Sequence, residues 1–120
     1  MFSVAIFVIL FKCIKSLFFM FRLFTTSEFD NDFLKLDESD KKKVRKIMDE
    51  LKTKGFDVGK PLGRKYFREK KFGNKRLYFL VYKNELIALA VGISNKKMQK
   101  DTINKILLEL KNYEEFIKKL

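Results

Sequence analysis

Between Lys60 and Ser94 the sequence reads KPLGRKYFREKKFGNKRLYFLVYKNELIALAVGIS, and this stretch limits the fold more than any other. Tyr66 to Phe72 and Lys75 to Tyr82 have the aromatic and β-branched content of strands, and Gly73-Asn74 between them is a turn signal. Lys83-Asn84-Glu85 makes a second turn. Leu86 to Ile93 is almost wholly apolar, as expected of a strand covered on both faces. Three consecutive antiparallel strands follow. Leu77, Phe79 and Val81 lie two apart and so share a face that must be buried.

The flanking sequence supplies the cover. Phe21 to Thr25 reads as a short strand, and Ser27 as the N-cap of a short helix carrying Phe29, Phe33 and Leu36. Asp37-Glu38-Ser39-Asp40 is a second helix start, acidic where the helix dipole favours it. Val44, Ile47, Met48 and Leu51 then recur at i, i+3, i+4 and i+7, one amphipathic face, and Gly55 suits the position after the helix. Phe56 to Lys65, with Gly59, Pro61 and Gly63, reads as a loop. After a polar, basic loop from Ser94 to Lys100, Asp101 can cap a closing helix whose stripe is Ile103, Ile106, Leu107, Leu110 and Ile117. The expected fold is α+β: a small antiparallel sheet covered by an N-terminal helical hairpin, with a C-terminal helix.

The domain is expected over residues 20–120. Residues 1–19 form a hydrophobic extension of different composition, and eight of the fourteen Phe lie at or before Phe29. Lys12 and Lys15 interrupt the run before it reaches the ~20 apolar residues of a membrane-spanning helix. The segment reads as an interfacial or marginally spanning helix touching a membrane, as a helix packed on the domain, or as upstream translation ahead of a start at Met20. The last reading is preferred, with the domain in the cytoplasm.

Charge narrows the function. The 120 residues carry a formal net charge of +12, which points to a polyanionic partner such as nucleic acid, an anionic membrane or an acidic protein. The chain has no histidine and one cysteine, Cys13. Ser-His triads, paired-histidine acid–base chemistry, an intrachain disulfide and cysteine-based zinc binding are therefore excluded. From Lys60 to Arg76 there are eight basic residues (Lys60, Arg64, Lys65, Arg68, Lys70, Lys71, Lys75, Arg76) against Glu69 alone, a net +7. An odd-length connection centred near Gly73 would bring Arg68, Lys70, Arg76 and Tyr78 to one exposed face. A tight Gly73-Asn74 turn would instead align Lys71 with Arg76 and send Arg68 and Lys70 to the face of Phe79, where burial opposes charge. The first register is preferred. Such a cluster suits RNA transesterification without a metal or other cofactor. Crowded cations favour one neutral lysine as base, arginine stabilises the phosphorane, and Tyr78 stacks on a base or assists proton transfer. The same cations would also bind phosphate or an acidic protein with no chemistry at all.

The order strand, helical hairpin, three-stranded meander and final helix resembles the RelE/ParE toxin superfamily over about residues 20–120. The segments that carry the resemblance are FREKKFGNKRLYFLVY and VGISNKKMQKDTINKI. The resemblance implies a toxin of a type II toxin–antitoxin system. For RelE-type members it implies a ribosome-dependent mRNA endonuclease, in which the 2′-hydroxyl attacks the adjacent phosphate without a metal. By position, Arg68 and Lys70 resemble the family's basic pair, Arg76 its arginine on the next strand, and Lys96 or Lys97 the basic residue after the last core strand. Lys60, Arg64, Lys65, Lys71, Lys75, Tyr78 and Lys97 would then contact RNA. No tyrosine matches the one often found early in the closing segment. The implied partners are the ribosome, mRNA and an antitoxin whose acidic or amphipathic segment neutralises the basic surface. ParE-type members poison DNA gyrase instead, and a non-catalytic basic binding domain would need no chemistry.

Overall fold

A computed structural model of the chain describes residues 20–120; the readings of residues 1–19 lie outside the described residues. The elements run β1 (Arg22–Thr25), α1 (Ser27–Leu34), α2 (Glu38–Lys54), a 3₁₀ turn (Gly55–Asp57), β2 (Lys60–Pro61), β3 (Phe67–Phe72), β4 (Lys75–Tyr82), β5 (Ile87–Asn95) and α3 (Gln99–Lys118). The α+β class and the helical hairpin are as expected. The sheet order is β1-β5-β4-β3-β2. The sheet is not wholly antiparallel, because β1 runs parallel to β5, pairing Arg22 with Ile87 and Thr25 with Ala90. The expected loop at 56–65 also contains β2, an edge strand, where Pro61 costs no ladder bond on its free side.

Two cores sandwich the sheet. Leu77, Phe79, Val81, Ala88 and Ala90 pack under Phe29, Val44, Ile47 and Leu51 of the hairpin. Phe67, Tyr78, Leu80, Ile87 and Leu89 pack under Ile106 and Ile117 of α3, with Ile103, Leu107 and Leu110 partly buried beside them. The apolar run in β5 is thus covered on both sides. The caps of α1 and α3 differ from expectation, and that of α2 falls at the expected start. Thr26, not Ser27, caps α1, its side chain accepting from the Phe29 amide at 3.1 Å. Asp37 caps α2 by accepting from the Asp40 amide at 2.7 Å. Asp101 falls inside the first turn of α3, while Asn95 Oδ1 accepts from the Met98 amide at 2.8 Å just ahead of the helix.

Two details position the site. Phe72 pairs with Lys75, so β3 and β4 are joined by the tight two-residue turn Gly73-Asn74, with Gly73 at φ +60°. In β5, Tyr78 pairs with Gly92 and Phe79 with Ala90, leaving Val91 as the extra residue of a β-bulge. No helix among the described residues is long and apolar enough to cross a membrane.

Candidate functional site

The tight turn decides which charges meet. Arg68 pairs with Phe79 and Lys70 with Leu77, so both project toward α2, whereas Glu69, Lys71 and Arg76 project toward α3. The expected exposed face of Arg68, Lys70, Arg76 and Tyr78 is therefore not formed. The penalty for burying Arg68 is met by its own hydrogen bonds. Its Nε donates to the Val58 carbonyl at 2.9 Å, Nη2 to Gly59 at 3.0 Å and Nη1 to Lys65 at 3.2 Å. Only 8% exposed, Arg68 stitches the 58–65 loop to the sheet. Gly59 helps by close approach: at φ +67° it lies so near the Glu69 carbonyl that an added Cβ would collide with it. Lys75 also points to the hairpin side, where its Nζ meets Asp40 Oδ2 at 2.7 Å.

On the α3 side the centre is an acid. Glu69 is 1% exposed and Arg76 7%. Arg76 Nε lies 3.5 Å from Glu69 Oε1, and Lys60 Nζ lies 3.9 Å from the same oxygen. Gln99, the first residue of α3, donates through Nε2 to Glu69 Oε2 at 2.9 Å. Glu69 Oε1 and Arg76 Nε are both buried and face each other as an ion pair, too long for a hydrogen bond, with no other hydrogen-bond partner among the described residues. Lys71, paired with Arg76, is exposed on this face, and Arg76 pairs on its other side with Ser94. Lys96 and Lys97 are exposed between β5 and α3, and Arg64 and Lys65 are exposed between β2 and β3.

Tyr78 is fully buried, with its hydroxyl 2.9 Å from Ser94 Oγ, so it has no free face for a base to stack on. Burial pushes its phenol pKa up and Glu69 adds to this, while the Ser94 hydrogen bond and Arg76 pull it back. Burial also raises Tyr82 and Tyr113. A phenol held neutral by the fold stabilises the folded state fully below the unfolded value of 10.0, and that contribution is lost as pH rises toward the folded value. Folding stability measured by urea titration should therefore fall above pH 10, and the fall should be smaller in Tyr82→Phe.

The residues missed in the sequence are Glu69, Ser94 and Gln99. Glu69 was legible only as the one acid within a basic run. Gln99 becomes relevant only once α3 is seated.

Solved structures share this architecture. A chain in the RelBE2 toxin–antitoxin complex from Mycobacterium tuberculosis matches with TM-score 0.57 and 19% identity, over 64% of this chain and 99% of that one. The isolated E. coli RelE toxin matches with TM-score 0.54 and 14% identity, over 72% of this chain and 98% of that one. The fold is that of RelE. A chain of the RelB–RelE complex from Methanococcus jannaschii matches with TM-score 0.53 and 16% identity, over 65% and 95%. No family model matches the sequence, and no curated protein matches it. At these identities the likeness is one of fold. On this RelE fold the basic surface of the chain surrounds a buried carboxylate.

Proposed function

We propose that this protein is a toxin of a toxin–antitoxin system that cleaves mRNA on the ribosome by metal-independent transesterification. The observation that carries the reading is the Glu69–Arg76 ion pair: a buried carboxylate and a buried guanidinium held together on the basic face of a RelE fold. Glu69 Oε1 is closed to solvent in the free chain, so in this reading docked RNA displaces Lys60 and Gln99 from Glu69. The uncovered Oε1 then takes the proton of the 2′-hydroxyl, and the resulting alkoxide attacks the adjacent phosphorus. Arg76 stabilises the charge gathering on the phosphorane oxygens. The P–O5′ bond breaks, the 5′-oxygen leaves as a hydroxyl with a proton from solvent, to which Glu69 gives up its own, and a 2′,3′-cyclic phosphate remains. Lys60 and Lys71 flank the pair and hold the backbone phosphates, with Lys96 and Lys97 at the far end of the same face and Arg64 and Lys65 on the adjoining loop. Lys70 projects to the other face, away from the pair, and the base in this reading is Glu69 and not a lysine. An antitoxin would neutralise this surface.

The test is cell-free translation with the full chain added, followed by mapping of mRNA 5′ ends. In-frame cleavage that needs ribosomes and is absent with Arg76→Ala supports the reading. Intact mRNA removes it. Intact mRNA together with gyrase-dependent DNA breaks in a supercoiling assay replaces it with the gyrase-directed alternative.

A further inference from the structure

A second surface lies between α1 and α3. It is a groove of about 900 Å³ floored by β5 from Val91 to Asn95, with Glu28 and Asp32 on the α1 wall and Met98, Leu108 and Glu109 on the α3 wall. Its floor is an open sheet edge. The pairing of β1 with β5 ends at Thr25 and Ala90, and beyond this β5 has no strand neighbour on that side among the described residues. Side chains hold the edge instead, at the limit of hydrogen-bond range. The Ile93 amide donates to Asp32 Oδ2 at 3.4 Å, and Thr26 Oγ1 contacts the Val91 carbonyl at 3.5 Å. Ladder bonds form nearer 2.9 Å, so a strand laid here would improve both.

Protecting an edge needs only the acid that Asp32 supplies. It does not need large apolar side chains on the wall, yet Leu108 is 83% exposed and Met98 46%. The charge also differs from that of the whole molecule. Glu28, Asp32 and Glu109 line the groove against Lys35 and Lys105, a net of −1 on a chain of net +12. The groove holds a polyanion less well than the rest of the surface, and its three carboxylates offer partners to a cationic segment.

We infer that this groove binds an extended segment of a partner protein, with apolar and basic side chains in alternation, as an added strand beside β5. The segment occupies the sheet position that β1 leaves at Thr26. Its backbone replaces Asp32 at the Ile93 amide, its apolar side chains lie against Met98 and Leu108, and its lysines or arginines meet Glu28, Glu109 and the released Asp32. None of the side chains invoked here handles phosphate, so the inference does not depend on the nuclease reading.

The test uses the full chain, ¹⁵N-labelled, with an acetylated octapeptide of alternating valine and lysine. The expected result is saturable binding, with slowed hydrogen exchange at the Ile93 amide. Leu108→Ser and Glu109→Lys, both at exposed positions, should each weaken binding by about tenfold. A valine–glutamate octapeptide should not bind. Absence of binding would overturn the inference, as would shifts mapping away from β5 or equal binding of the acidic peptide. Protection of Ile93 by single-stranded RNA would overturn it in favour of nucleic acid. Concentration-dependent protection with no peptide would assign the groove to a second copy of the chain.

Discussion

Glu69→Gln should lower ribosome-dependent mRNA cleavage by about 10²- to 10⁴-fold, the usual range for a positioned general base. The substitution keeps the shape of the side chain and an acceptor for Gln99, and removes only the charge and the proton-accepting oxygen. It leaves Arg76 buried beside a neutral amide, so some stability is lost as well, because uncompensated buried charge is costly. The two effects separate experimentally. Cleavage is measured under conditions where circular dichroism shows the variant folded. Glu69→Asp keeps the charge at a shorter reach and should retain part of the rate. A folded Glu69→Gln variant with full cleavage would make Glu69 a counter-ion for Arg76 and nothing more.

Arg68→Ala should cost about 3 kcal/mol of folding stability, since it removes three charge-assisted hydrogen bonds and strands the buried Val58 carbonyl. Against the 5–15 kcal/mol typical of a domain, that is a large fraction. The urea midpoint should fall with an unchanged slope. Arg68→Lys should recover little, because one ammonium cannot reproduce a planar fork directed at three carbonyls. Cleavage per folded molecule should stay near wild type for a residue that faces the hairpin. The role implied by the family resemblance gives the opposite outcome, unchanged stability with cleavage abolished, and the pair of measurements decides between them.

These two residues show where the sequence was informative. Strand periodicity placed Leu77, Phe79 and Val81 under the hairpin, and helical spacing placed Val44, Ile47 and Leu51 above them, because both patterns are local. Which charges meet was not local. It depended on turn length, and the tight turn looked unfavourable because it buried Arg68 on an apolar face. The carbonyls that solvate Arg68 come from a loop up to ten residues away, and nothing in the strand itself reveals them. The same difficulty hid Glu69, whose partners Lys60, Arg76 and Gln99 arrive from three separate elements. β1 was legible as a strand, but its direction was not, since four residues carry no orientation signal. The Thr26 cap was missed because Ser27 offers the same chemistry one residue later.

The bulge at Val91 divides β5 into two lengths with opposite parity. Before it, the even positions Ala88 and Ala90 face the hairpin; after it, the even positions Gly92 and Ser94 face α3, and odd-numbered Ile93 turns to the hairpin side. One extra residue therefore works as a frame change within a single strand. Its first half is written in the frame of the core and its second in the frame of the site. Deleting Val91 would restore plain alternation against β4 with every pairing kept, Ser94 with Arg76 included, and would cost only the Val91 side chain in the core under α3. Sequence comparisons across β5 that ignore this shift would align core positions of one protein with site positions of another.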